Sequence, residues 1–305
     1  MTTFRFPLRA IAWFAVMLAV ALAPLGCAKK AAEENAKPGQ KSSLQDIGSD
    51  TMVNLAQAWA EAYATVEPGL SVEVSGGGSG VGIAALINGT CDIANASRTM
   101  DSLETDKAKK AGMDPKEFLV GYDGLAIYVH KDNPLNEISI EQLGEIYREG
   151  GKIDHWSQLG LKSIPGAKSD DIVRVSRQNN SGTYQYFREH VVGKKNDYKA
   201  GSLDMNGSKE VVALVAKTPG AIGYSGLGYA TPDVKILKVS KKKGEPGVMP
   251  SIPTVHDKTY PISRPMFMYT PGEPPPRVKK YIDWVMSDAG QKIVETSGYV
   301  PLPKN

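Results

Sequence analysis

After its N-terminal segment, the chain repeats a strand, a turn of glycine or hydroxyl residues, and an amphipathic helix. The predicted strand 44–47 runs through Gly48-Ser49-Asp50-Thr51 into a helix predicted over 52–65, whose apolar residues share one face. The alternating segment 71–75 runs through a glycine-rich loop into a second helix, and a further strand follows at 92–96. Such units place helices against a mostly parallel sheet, so we predict an α/β fold.

The segment 119–130 is long for one strand and is expected to run from one lobe into another. The extended segment 261–269 is predicted to return beside it, which gives a two-strand hinge between two mixed sheets. The other predicted elements are helices at 140–148, 182–191, 208–216 and 276–288, and strands at 172–176 and 220–224. The expected division is a first lobe at 44–124, a second lobe at 125–260, and a return strand with a C-terminal helix on the first lobe at 261–305.

Residues 1–26 have the pattern of a secretion signal. Arg5 and Arg9 precede the apolar run 10–23, which as a helix reaches only about 21 Å, short of a ~30 Å bilayer core. The run ends in Pro24-Leu25-Gly26-Cys27, which resembles a bacterial lipobox and implies a lipid on Cys27, although Pro24 departs from the usual Leu. An ordinary signal-peptidase site and an uncleaved anchor remain alternatives.

The segment 27–43 is predicted to be a flexible tether to a membrane. It is rich in Ala, Lys, Glu, Gly and Gln and has no apolar periodicity. We expect an exported protein, lipid-anchored to the cell membrane or the outer membrane, in the periplasm or at the cell surface.

Charge and cysteine content exclude several classes. Of the formal net charge of +3, Arg5 and Arg9 supply two, so the remainder is nearly neutral and argues against a nucleic-acid partner. With Cys27 lipidated, Cys91 has no disulfide partner and is expected to be a small buried residue. The four histidines are scattered and no zinc-type spacing occurs, so we expect no metal and no cofactor.

Three polar motifs follow predicted strands, and together they predict an oxyanion site. They are the loop 76–82 with Ser79 and Gly80, the pair Ser97-Arg98, and Arg177 followed by Ser181-Gly182-Thr183. An oxyanion needs converging N–H and O–H donors and fixed cations, which glycines at helix starts, hydroxyls and guanidinium groups supply.

Each motif also has a simpler interpretation. The glycines can form a turn, Ser49 to Thr51 can cap a helix, and Arg98 can pair with a nearby acid. Gly80 to Ala85 matches a dinucleotide fingerprint, but the acids that follow do not fit it, and no P-loop ending occurs.

These motifs, with Gly48-Ser49-Asp50-Thr51 and 220–224, resemble the phosphate-binding proteins of the high-affinity phosphate ABC importer over about residues 44–303. The resemblance implies a type II periplasmic-binding-protein fold, in which two lobes close over one phosphate without catalysis. It implies as ligand residues Thr51 or Asp50 at the first helix start, Ser79 with Gly80, Ser97-Arg98, Arg177, and Ser181, Gly182 and Thr183.

One position departs from the family pattern. Well-known members have a carboxylate where this chain has Arg98, and that acid accepts the proton of hydrogen phosphate and repels sulfate. The acceptor must then come from elsewhere, with Asp50 as the first candidate, or the preferred anion differs.

We therefore expect a monomeric protein that binds inorganic phosphate and delivers it to ABC-importer permease subunits. The alternatives are another oxyanion (tungstate, molybdate or sulfate), a phosphate sensor, and an extracytoplasmic phosphatase, for which no nucleophile or metal cluster is evident.

Overall fold

The structure, a computed structural model, describes residues 42–303, and its strands form two five-stranded sheets and one two-stranded sheet. The strands are β1 (Ser42–Gly48), β2 (Leu70–Ser75), β3 (Ile93–Ala96), β4 (Lys116–Gly124), β5 (Ala126–His130), β6 (Glu137–Ser139), β7 (Val173–Arg177), β8 (Leu203–Met205), β9 (Ala221–Ser225), β10 (Val234–Ile236), β11 (Lys238–Ser240) and β12 (Ser263–Thr270). The α-helices are α1 (Val53–Val66), α2 (Ser79–Ile87), α3 (Ser102–Lys110), α4 (Ile140–Tyr147), α5 (Gly182–Phe187), α6 (Ser208–Lys217), α7 (Ile252–His256), α8 (Pro276–Met286) and α9 (Asp288–Thr296).

The first sheet has the order β2-β1-β3-β12-β4. Strand β1 is parallel to β2 and β3, whereas β12 is antiparallel to β3 and β4. Apolar residues of α1 and α8 cover one face, with Trp59, Tyr63, Tyr281 and Ile282 buried against Leu44 of β1. This packing fixes the direction in which β1 delivers the chain to the turn before α1.

The second sheet has the order β10-β5-β9-β7-β8. Strand β7 is parallel to β8 and β9, and β5 is antiparallel to β9 and β10. Its core includes Tyr147, Phe187 and Tyr224, and the rings of Phe187 and Tyr224 stack with centroids 3.8 Å apart. Phe187 ends α5, so this stacking anchors the helix that follows the Ser-Gly-Thr motif.

The chain passes from the first sheet to the second at Leu125. Strand β4 ends at Gly124 in the first sheet and β5 begins at Ala126 in the second, so the single strand predicted over 119–130 is two strands. Strand β12 returns beside β4, and the Leu125 N–H donates to the Ile262 carbonyl at 3.0 Å. We call β4 and β12 the hinge strands.

Other boundaries differ from the predictions in ways that packing explains. Strand β1 begins at Ser42, inside the predicted tether 27–43, because Ser42 and Ser43 pair with β2. The helix predicted over 182–191 is α5 followed by a π-helix, Arg188–Gly193. The helix predicted to end at 288 ends at Met286, and α9 follows it.

The predicted signal peptide, the lipidation site Cys27 and most of the tether lie outside the described residues. Within 42–303, none of the helices has the length and apolar character needed to cross a bilayer.

Candidate functional site

The predicted motifs follow the carboxyl ends of parallel strands in both sheets. Gly48-Ser49-Asp50-Thr51 follows β1, Ser97 follows β3, and Gln178 to Ser181 follow β7. Ligands bind in α/β sheets at this edge, where strands hand over to helix N-termini. The two edges face each other, as the contacts below show.

Ser79, Ser97 and Gly182 meet across the two lobes. The Ser97 N–H donates to Ser79 Oγ at 3.1 Å, and Ser49 Oγ donates to Ser97 Oγ at 3.0 Å. A Cβ on Gly182 would lie 2.3 Å from Ser79 Oγ and 2.8 Å from Ser97 Oγ. Only glycine fits at this position, because the second lobe's backbone packs directly on the first lobe's hydroxyls.

Thr51 and Thr183 form a second contact between the lobes. Their Oγ1 atoms are 2.9 Å apart, and both residues are buried. Beside them, Ser181 caps α5: its Oγ accepts from the N–H groups of Thr183 at 3.1 Å and Tyr184 at 3.4 Å. The Ser181 hydroxyl proton is therefore left to donate elsewhere.

Arg177 is buried at the end of β7 and pairs with Asp50 of the first lobe. Its Nη2 lies 2.6 Å from Asp50 Oδ2, and Nη1 donates to Ser208 Oγ at 3.1 Å. Burial lowers the pKa of Arg177, and the Asp50 carboxylate opposes this shift. Asp50 Oδ1 also accepts the Gly77 N–H at 2.8 Å. Each Asp50 oxygen retains acceptor capacity for a protonated ligand.

Gly80 and the glycine loop bind Asn180 of the opposite lobe. The Gly80 N–H donates to the Asn180 carbonyl at 3.1 Å, and Asn180 Nδ2 donates to the Gly77 carbonyl at 3.0 Å. The loop is therefore bonded to the opposite lobe, and the Gly80 N–H already has a protein acceptor.

A cavity of about 460 Å³ opens beside the Arg177–Asp50 pair and reaches Asn54, Asn206 and Lys209. It connects solvent with the interlobe contacts.

Arg98 lies at the wall of the cleft and is held by an acid. Its Nη1 and Nη2 each lie 2.7 Å from a different oxygen of Glu104, and Nη1 donates to the Thr99 carbonyl at 2.8 Å. Arg98 therefore forms the ion pair with a nearby acid that the sequence offered as the alternative to a role in ligand binding. Within residues 42–303, Arg98 Nε has no hydrogen-bond partner.

The most buried charged pair at the site was not predicted from the sequence. Arg264 of β12 and Asp123 of β4 are opposite each other in register and essentially inaccessible to solvent. Arg264 Nε and Nη2 donate to Asp123 Oδ2 at 3.0 and 2.8 Å. Nη1 donates to Thr183 Oγ1 at 3.0 Å, and Nη2 donates to Thr51 Oγ1 at 3.1 Å. The available signal was Arg264 itself, the one charged residue in the segment 261–269.

The site is rich in donors and poor in catalytic groups. Arg177 and Arg264 are balanced by Asp50 and Asp123, and the hydroxyls of both lobes add neutral donors. Among residues 42–303, no group of three or more His, Cys, Asp or Glu side chains is placed to hold a metal. Burial raises the pKa of Cys91 to about 12, so its thiol stays protonated at neutral pH.

Two mixed sheets with a polar cleft at the ends of their parallel strands define a two-lobed solute-binding protein. A family model described as the PBP superfamily domain matches residues 34–289. The phosphate-binding protein PstS of Pseudomonas aeruginosa is 34% identical over 276 residues, 87% of this chain and 84% of that protein. PstS of Bacillus subtilis is 31% identical over 293 residues, 94% and 90% of the two chains.

Among solved structures, a Clostridium perfringens protein described as a phosphate ABC transporter substrate-binding protein with bound phosphate superposes with a TM-score of 0.75. It is 32% identical, and the match covers 86% of this chain and all of that one. The chain belongs to the PBP superfamily and, within it, to the family of PstS phosphate-binding proteins.

Proposed function

We propose that this protein binds inorganic phosphate between its lobes and delivers it to an ABC importer. The observation that carries the proposal is the meeting of hydroxyl groups and a buried guanidinium from both lobes at one set of contacts, Thr51 with Thr183, Ser79 and Ser97 with Gly182, and Asp50 with Arg177. The relatives named as phosphate-binding proteins support the choice of anion.

The proposed ligand residues are those predicted from the sequence, apart from two reservations that the contacts introduce. Donors to phosphate are Thr51, Ser79, Ser97, Arg177, Ser181, Gly182 and Thr183, and Asp50 is the acceptor for the ligand's proton. We propose that Gly80 and Arg98 form the wall of the site, because the Gly80 N–H donates to the Asn180 carbonyl and Arg98 is held by Glu104 and Thr99 of its own lobe.

The lobe boundaries and the cellular location are also proposals. The change of sheet at Leu125 supports boundaries near 124/125 and 260/261. Gly26-Cys27 supports export and a lipid anchor. We further propose that the protein docks on the permease as a monomer. Replacing Cys27 with Ser is expected to move the protein from the membrane fraction to the soluble fraction.

A fully ionised anion such as sulfate, molybdate or tungstate is the second candidate. It is favoured by one observation: Asp50 and Asp123 both already accept hydrogen bonds from arginine and from backbone N–H groups.

Isothermal titration of the phosphate-stripped protein decides between these anions. Phosphate, sulfate, molybdate and tungstate are compared at pH 6 and pH 8. We expect one-to-one phosphate binding with no heat from sulfate. Binding of a fully ionised anion without phosphate binding would contradict the proposed ligand but not the fold. Release of phosphate from a phosphomonoester would contradict a purely binding role.

A further inference from the structure

We propose that Arg264 is a positioning residue that couples lobe closure to the direction of two ligand-binding hydroxyls. This inference deepens the proposed function and rests on it for the identity of the ligand. It is drawn from the contacts of the buried Arg264–Asp123 pair, which lies on the hinge strands.

Burying this pair is costly and therefore needs a compensating role. Two charges taken from water lose hydration that their mutual attraction repays only with good geometry and further hydrogen bonds. Here both residues are essentially inaccessible to solvent, and an apolar pair could fill the same space in a β-sheet. The additional hydrogen bonds of Arg264, to Thr51 and Thr183, are interactions that an apolar side chain could not make.

The guanidinium is held from three directions. Asp123 fixes it from the neighbouring hinge strand, and Asp123 is itself fixed by the Leu227 N–H, which donates to Oδ1 at 2.9 Å. Thr51 binds Nη2 from the first lobe, and Thr183 binds Nη1 from the second lobe. The Tyr186 ring lies 5.8 Å from the guanidinium carbon.

This arrangement determines where the two hydroxyl protons point. A guanidinium has only N–H donors, so the oxygens of both threonines accept from Arg264. Their protons must then point elsewhere. One proton serves the Thr51–Thr183 hydrogen bond, and the other is left to donate to an acceptor in the cleft. When an anion binds beside the two threonines, it can replace the Thr51–Thr183 hydrogen bond as acceptor, and both hydroxyls can then donate to it.

The same arrangement favours closure. Arg264 can bind Thr51 and Thr183 together only while the lobes are in contact, because the two residues begin helices of different lobes. Rotation of the second lobe about the hinge strands would break the hydrogen bond from Arg264 Nη1 to Thr183 Oγ1. The Nη1–H group would then need water as its acceptor. Arg264 therefore stabilises the closed arrangement before any contact with the ligand is counted.

The test compares variants of the full chain by phosphate titration and by small-angle X-ray scattering without phosphate. Arg264→Lys keeps the charge but loses the planar fork, and Arg264→Gln loses both. The Asp123→Asn/Arg264→Gln double variant removes both charges and avoids leaving an unpaired carboxylate, so it serves if Arg264→Gln does not fold. Arg174→Gln is the matched control, because Arg174 pairs with Asp154 at 3.0 Å and touches none of the proposed ligand residues.

We expect Arg264→Gln and the double variant to weaken phosphate binding about ten- to a hundredfold, as for the loss of one or two hydrogen bonds to a charged group. Their radius of gyration without phosphate should exceed that of the unsubstituted protein, with Arg264→Lys between the two. Arg174→Gln should lower the melting temperature while keeping the phosphate Kd. The variant that combines Thr183→Val with Arg264→Gln should lose less phosphate-binding free energy than the sum of the losses in the two single variants.

A fall in melting temperature with an unchanged phosphate Kd and an unchanged radius of gyration would overturn the inference and leave Arg264 a structural residue. If the unsubstituted protein binds no phosphate, the proposed function fails. The scattering comparison still decides the role of Arg264 in closure, so the two failures can be told apart.

Discussion

Arg98 and Arg264 both bind a carboxylate through two guanidinium N–H groups, but they differ in their third partners. Arg98 spreads its bonds over both Glu104 oxygens and ends on the carbonyl of its neighbour Thr99. Arg264 places both bonds on one oxygen of Asp123, which leaves its outer N–H groups to reach Thr51 and Thr183. When a carboxylate binds both terminal nitrogens, as Glu104 does, the arginine contacts only nearby residues. When it binds Nε and one terminal nitrogen, as Asp123 does, the guanidinium can still donate to residues of both lobes.

Burial sharpens this difference. Arg98 and Glu104 retain side-chain exposures of 8% and 16%, whereas Arg264 and Asp123 have 0% each. Water can therefore replace a partner lost at Glu104 but not one lost at Asp123. The predictions below test this comparison.

Replacing Asp123 with Ala should have the largest effect. It leaves the Arg264 guanidinium buried and without its counter-charge, which costs about 3–5 kcal/mol of unfolding free energy. The matched change, Glu104→Ala, should cost less than this, because Arg98 and Glu104 keep side-chain exposures of 8% and 16%. Urea denaturation of both variants measures the two costs, and equal losses would contradict the role assigned to burial.

A third buried carboxylate, Asp46 of β1, shows what happens when no cation is supplied. Neither of its oxygens has a hydrogen-bond partner within residues 42–303, and burial raises its pKa to about 7, a rise that the nearby Asn95 amide partly opposes. Asp123 instead accepts N–H groups from Arg264 and Leu227. One sheet therefore holds a carboxyl that favours its neutral form and another that is paired with a guanidinium.

Asp46 should make stability fall as the pH rises. The folded protein holds the proton up to a pH of about 7, whereas the unfolded chain releases it near the ordinary aspartate pKa of 3.8. The contribution of the neutral carboxyl to the free energy of unfolding is thus fully present below about pH 4. It decreases as the pH rises, and about 4 kcal/mol is lost by pH 7. Asp46→Asn should remove this loss, as measured by urea denaturation from pH 4 to pH 8. If the pH dependence of Asp46→Asn equals that of the unsubstituted protein, the pKa of Asp46 is not raised in the folded state. Asp114→Asn, at the surface, is the control.

Gly182→Ala tests the lobe contact on the other side of the threonines. The new Cβ would overlap Ser79 Oγ, so closure must move one lobe, and an overpacked contact costs about 1–3 kcal/mol. Phosphate affinity should fall roughly ten- to a hundredfold while the melting temperature changes little. Gly272→Ala is the control, because a Cβ there meets no atom within 4 Å. Unchanged affinity in Gly182→Ala would mean that the ligand-bound lobes do not meet at this contact.

The sequence predicted the strand-to-helix junctions because each combines a period change with glycine or hydroxyl residues. That local signal was sufficient to place Ser79, Ser97 and Ser181 at the ends of strands, and the three residues lie close together in the structure. The break at Leu125 follows Asp123-Gly124, a dipeptide typical of turns, but the apolar residues on both sides of it favoured one long strand over 119–130. Only the distant pairing of β4 with β12 determines where the first sheet ends.

The two arginines show a limit of motif-based prediction. Arg98 follows a motif serine and is predicted as a ligand residue, and in the structure its guanidinium binds Glu104, six residues later. Arg264 lies far from every motif and reaches the site because β12 runs beside β4. Its place depends on strand order, which no local pattern encodes. A charged residue inside an apolar strand was the only sign of it.

Replacing Arg98 with Gln should have the smallest effect. The substitution removes an ion pair, but no hydroxyl proposed to bind the ligand depends on it, so phosphate affinity should change less than about threefold. The unfolding free energy should fall by less than in Asp123→Ala, because Glu104 keeps some contact with water. Titration with phosphate and sulfate measures the first quantity and urea denaturation the second. A loss of affinity beyond tenfold, with stability unchanged, would restore Arg98 as a direct ligand residue. In that case the fork on Glu104 would have to open when the anion binds, and Arg98 and Arg264 would share one role.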